Sequence, residues 1–146
     1  MRRRPPAPGR RRAVRLPRPP LRVLQIENEG PRQPFRRKID RKLRGWGGSP
    51  LEGRLVILEE PWAKFTLAEP AHREWLAGVV REQRFDVVMV GPVVAAGMNE
   101  VGTLQDVRAF GRLLQEVREA AGVLFAFWLT HHEVSVPGEY WPWRAG

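Results

Sequence analysis

Residues 85–130 read FDVVMVGPVVAAGMNEVGTLQDVRAFGRLLQEVREAAGVLFAFWLT. The stretch opens on a nearly continuous apolar run, Phe85–Gly91, and closes on another, Val123–Thr130. Short runs of this kind suit strands of a parallel sheet covered on both faces. Between them, Leu104, Val107, Leu114, Val117 and Ala121 form a helical stripe over Thr103–Ala121. Thr103 and Asp106 have the spacing of a capping box, and Gly122 is a natural stop. Strand, long helix and strand in that order make a right-handed crossover between parallel strands.

The pattern continues towards the N-terminus. Leu21–Glu27 (LRVLQIE) and Arg54–Glu60 (RLVILEE) are two more strand candidates. Pro34–Arg44 places Phe35, Ile39 and Leu43 on one helical face and Arg36, Arg37, Lys38, Arg41, Lys42 and Arg44 on the other. Pro70–Arg84 presents Trp75, Leu76, Val79 and Val80 inward, with Pro70 suited to a first helical turn. The order β-α-β-α-β-α-β predicts an α/β fold: a mostly parallel sheet of about four strands with flanking helices.

Charge divides the chain. Residues 1–22 hold nine Arg, six Pro and no acid; removing those nine from the 25 Lys and Arg leaves 16, against 16 Asp and Glu. The net charge of +9 therefore belongs to the N-terminal segment, and the rest is formally neutral. The expected organisation is a disordered Arg/Pro-rich tail over 1–20, a domain over 21–135 and an irregular tail over 136–146. The N-terminal tail has almost nothing apolar to bury. Its arginines would neutralise nucleic-acid phosphates, but no aromatic residue interleaves them as a stacking platform. The same composition also fits an extension with no role. With no Cys, disulfides and thiolate metal sites are excluded. No apolar run is long enough to span a membrane, and no apolar h-region follows the basic start, so the expected location is cytoplasmic.

In open parallel sheets ligands bind beyond the carboxyl ends of the strands. That rule selects Glu27-Asn28-Glu29, Glu59-Glu60, Gly91-Pro92 and Thr130-His131-His132. Such carboxylates and imidazoles could perform acid–base chemistry or simply mark where strands meet water. A zinc site is not expected, because His131-His132-Glu133 lacks the spacing that puts two imidazoles on one helical face. A phosphate-binding loop needs glycines for its amides, a Lys and a Ser or Thr. Neither Gly91–Asn99 (GPVVAAGMN) nor Gly45–Ser49 (GWGGS) meets that requirement, and no GxGxxG occurs.

Three pieces in this order, LRVLQIENEGPRQPFRRKIDRKL, FDVVMVGP and VLFAFWLTHHE, resemble RecA-like P-loop ATPases of the hexameric plasmid-replication helicase type, often labelled AAA-family ATPases. EEPWAKFTL resembles the family's short segment before the next helix. The match runs from Leu21 to about Glu133. The resemblance implies that Glu29, or Glu27 in a shifted register, is the catalytic glutamate that polarises the attacking water. It implies that His132, or His131, senses the γ-phosphate. Gly91, Asn99 and His131 fall at nucleotide-binding positions, and the 93–102 loop would line the nucleotide or strand-binding face. ATP and Mg are the family's cofactors; nucleic acid and further copies of the chain are its partners. Two departures stand out. Gly91 replaces the Asp with which the family's Walker B strand holds magnesium, and the family's Walker A strand, loop and helix have no counterpart before Leu21. The expected function is a truncated or degenerate ATPase related to replication motors, unable to bind and hydrolyse ATP alone. Loss of a strand internal to the sheet would also expose an unpaired edge and an apolar face. The alternative is a nucleic-acid-binding protein that uses the N-terminal tail and Arg36, Arg37, Lys38, Arg41 and Lys42. A metal- or carboxylate-dependent hydrolase is the weakest of the three, having no well-spaced ligand set.

Overall fold

A computed structural model describes residues 20–60 and 62–131. The predicted tails at 1–20, save Pro20, and 136–146, and with them His132 and Glu133, lie outside the described residues. The elements follow the expected alternation: β1 Val23–Glu27, α1 Arg32–Arg44, β2 Leu55–Leu58, α2 Pro70–Gln83, β3 Val87–Gly91, α3 Leu104–Ala121 and β4 Ala126–Leu129.

All pairings are parallel, and the spatial order is β2-β1-β3-β4. The chain first winds one way, from β1 to β2, and then reverses through β3 to β4. The reversal lies between β1 and β3, which are in register from Val23↔Val87 to Glu27↔Gly91. With right-handed crossovers, α1 lies on one face and α2 and α3 share the other. On that shared face Leu24, Ile26, Val88 and Val90 meet Leu76, Val80, Phe110 and Val117, all buried. Each such side chain contributes about 1.5–3 kcal/mol relative to exposure.

The opposite face differs from the expectation of two covered faces. Val23, Gln25, Val87 and Met89 are only partly buried, and α1 has no buried residue at all. Phe35 does not reach a core; it packs on Trp62, with ring centroids 5.1 Å apart. The expected stripes shift accordingly. Leu43 (43%), Trp75 (40%), Leu104 (66%) and Val107 (51%) are exposed, and Phe110 takes the place of the last two in the core. α3 packs against α2, and the exposed Leu104 and Val107 lie in its first turn. Its capping box forms as expected: the Thr103 hydroxyl accepts from the Asp106 N–H at 3.2 Å, and the Asp106 carboxylate accepts from the Thr103 N–H at 2.9 Å.

β4 is an edge strand, and Trp128 (63%) and Leu129 (38%) are exposed on it. Among the described residues no helix is long and apolar enough to cross a membrane.

Candidate functional site at the strand-order reversal

The crevice between the carboxyl ends of β1 and β3 is where an open parallel sheet of this order offers a ligand site. On one side, Glu27 ends β1, and Gly30 (φ +71) turns the chain towards α1. Glu29 N–H donates to Glu27 Oε1 at 3.3 Å. Burial pushes the Glu27 carboxyl above its ordinary value, and the Glu29 charge adds to that, while the amide of Glu29 opposes it. Glu27 thus holds its proton to higher pH than a free glutamate, as a general acid would need.

Asn28 lies between the two acids. Its N–H donates to the Gly91 carbonyl at 3.0 Å, extending the β1–β3 ladder by one bond. Alternation along the strand puts its side chain on the Leu24–Ile26 face, where it is 8% exposed. Neither its Oδ1 nor its Nδ2 has a hydrogen-bond partner among the described residues. Sequence reasoning passed over Asn28 in favour of the charged residues beside it. Its parity with Leu24 and Ile26 was the available signal.

The other wall begins at the cis Gly91-Pro92 bond. Thr130 is hydrogen-bonded into this strand end, its N–H donating to Val90 and its carbonyl accepting from the Val93 N–H at 2.9 Å. A Cβ built on Gly91 would lie 1.5 Å from Thr130 Oγ1 and 2.8 Å from Thr130 Cβ. The space of a side chain at 91 is therefore filled by Thr130, which the strand-end rule selects with His131 and His132 but to which no role is assigned from sequence. The loop beyond is braced from the side: Leu67 N–H donates to the Ala96 carbonyl at 2.8 Å, and Gly97 (φ +111) approaches the Ala68 backbone.

The remaining predicted residues separate into groups. Glu29, Gly91 and exposed His131 lie at the ends of three adjacent strands, β1, β3 and β4. Asn99 does not join them. Its Oδ1 accepts from the Val101 N–H at 3.2 Å, and it lines a hollow with Asp106, Arg112 and Glu116 of α3. The turn before α3 thus engages the side-chain oxygen of Asn99, away from the ends of β1, β3 and β4. Glu59 and Glu60 are not free acids either. Arg32 pairs with both, and Arg36 reaches Glu59 at 2.9 Å. The hydrogen bond from Arg32 holds the Glu59 carboxyl below its ordinary range.

Arg37, Lys38, Arg41 and Lys42 stand exposed on α1, with no ion pair among the described residues. Among the described residues no three His, Asp or Glu converge on a point that could hold a metal. The residues present do not fit a magnesium nucleotide. Gly91 offers no carboxylate, Thr130 fills its space, and no Lys-Ser/Thr loop stands in the sequence. No protein-family model matches the chain, and no curated protein matches it.

Proposed function

We propose that the chain is the body of a RecA-like ATPase related to replication and helicase motors, one that neither binds nor hydrolyses ATP by itself. The observation that carries this reading is the gathering of Glu29, Gly91 and His131 at one end of three adjacent parallel strands. These are the positions that the resemblance assigns to water activation, the Walker B terminus and γ-phosphate sensing. The apolar edge of β4, which pairs with no second strand among the described residues, supports it further. Trp128 and Leu129 are exposed there, without the charges or prolines that usually blunt a solvent-facing edge.

Phosphoryl transfer depends on positioning and neutralising the β- and γ-phosphates. This crevice supplies carboxylates where a cradle would supply backbone amides and a Lys. The test is a titration of the purified chain with a fluorescent ATP analogue in the presence of magnesium. No saturable signal is expected up to millimolar nucleotide, which corresponds to about 4 kcal/mol of binding free energy. Micromolar binding competed by ATP would refute the reading.

A second reading is favoured by one observation: the cations of α1 that have no ion-pair partner among the described residues. On that reading the sheet is a scaffold, and the basic helix, with the Arg-rich N-terminal segment, binds nucleic acid. Log affinity would then fall linearly with log salt, which a filter-binding series measures.

A further inference from the structure

We propose that the outer face of α1 together with Trp46 is an interface for single-stranded nucleic acid. The inference rests on the second reading above and narrows it to one form of nucleic acid and one surface.

The charge arrangement comes first. At 100° per residue, Arg44, Arg37, Arg41, Lys38 and Lys42 fill one arc of about 160° on the helix. None has an ion-pair partner among the described residues, whereas Arg32 and Arg36 are both committed to Glu59. Some of this charge complements the carboxyl end of the helix, where Arg41, Lys42 and Arg44 occupy the last turn. Lys38 and Arg37 lie outside that turn, so dipole compensation does not account for the whole face.

The second observation is an aromatic ring held open. Trp46 follows the helix directly and is 55% exposed. Its Nε1–H donates to the Ser49 carbonyl at 2.8 Å, which fixes the ring plane. Part of the ring lies against Gly48: a Cβ there would stand 2.5 Å from Trp46 Cζ2. The glycine lets the indole settle on the backbone, leaving the rest of the ring in solvent. An exposed Trp with a fixed plane, at the end of a row of unpaired cations, has the two features that single-strand binders combine. The cations track the phosphates, and the ring stacks an unpaired base. A duplex keeps its base faces stacked on each other and gives the ring nothing to bind.

The test is fluorescence anisotropy of the full chain with a labelled oligothymidylate and with a duplex of equal length, the two forms compared at matched salt and each followed over a salt series. Trp46→Ala is expected to weaken single-strand binding about ten-fold or more and leave duplex binding unchanged, while Trp46→Phe retains most of the affinity. Changing Lys38, Arg41 and Lys42 together to Gln is expected to lower the salt slope by about 2, at roughly 0.7 per phosphate on a single strand. Equal binding of both forms, or no effect of Trp46→Ala in a chain with unchanged circular dichroism, would overturn the single-strand proposal and leave the second reading standing. Absence of binding to either form, or a salt slope unmoved by the triple change, would sink both.

Discussion

Replacing Phe65 with Ala is expected to remove about 3–5 kcal/mol of stability. Phe65 is 1% exposed, although it lies in the connection between β2 and α2 rather than in either element. Its ring stacks on His72 with centroids 5.5 Å apart and meets Trp75 edge-on at 6.0 Å. The backbone beside it is tied down as well, since Thr66 N–H donates to His72 Nδ1 at 3.1 Å. Truncation would leave a cavity that this anchored loop cannot close. Small domains have only about 5–15 kcal/mol in total, so the loss is a large fraction. It should also slacken the crevice, because the neighbouring Leu67 amide supports the 92–99 loop through Ala96. Urea denaturation measures the effect, and a change below about 1 kcal/mol would show that Phe65 is not the anchor described.

The second large effect concerns Gly91. Placing a carboxylate at this strand end by Gly91→Asp is expected to cost about 2–3 kcal/mol or more, because overpacking a fixed site displaces its neighbours. Rotating Thr130 relieves only part of the clash. Its Oγ1 can move, but its Cβ stands 2.8 Å from the new Cβ. Thr130→Gly in the same chain should therefore recover more stability than Thr130→Ala. The coupling energy of the double-mutant cycle reports this contact alone. Equal stability of Gly91→Asp and the parent would contradict the packing. If the packing holds, a carboxylate at this strand end is not one tolerated substitution away.

The alternation of elements was legible because it rests on run length and composition. Four short apolar runs separated by amphipathic stretches leave little freedom of class, and the Thr103–Asp106 cap is a local pattern that no tertiary contact alters. The start of α1 was placed two residues late, at Pro34 instead of Arg32. Proline is tolerated anywhere in the first helical turn, so Pro34 does not mark where the helix begins. The contents of the loops were much less legible. Phe65 and Leu67 read as part of a short connection, and only the arrival of the 92–99 loop makes them core. Asn28 looked subordinate to its acidic neighbours until strand parity put it inside.

The same limit applies to the site. Sequence logic could name the carboxyl edge of the sheet as the candidate, because that rule depends only on strand direction. It could not foresee that Arg32 neutralises Glu59 and Glu60, or that Thr130 fills the space at Gly91. Both are contacts between segments distant in sequence, and neither residue carries a motif.

On the proposed function, the body of a RecA-like motor is present here without a means of engaging phosphates. Phosphate release from Mg-ATP, followed for the parent chain and for Glu29→Gln side by side, tests it most directly. The account predicts release at the buffer rate for both proteins. Turnover by the parent that Glu29→Gln abolishes would contradict it, and would mean that this crevice holds a nucleotide without the loop and the carboxylate it lacks.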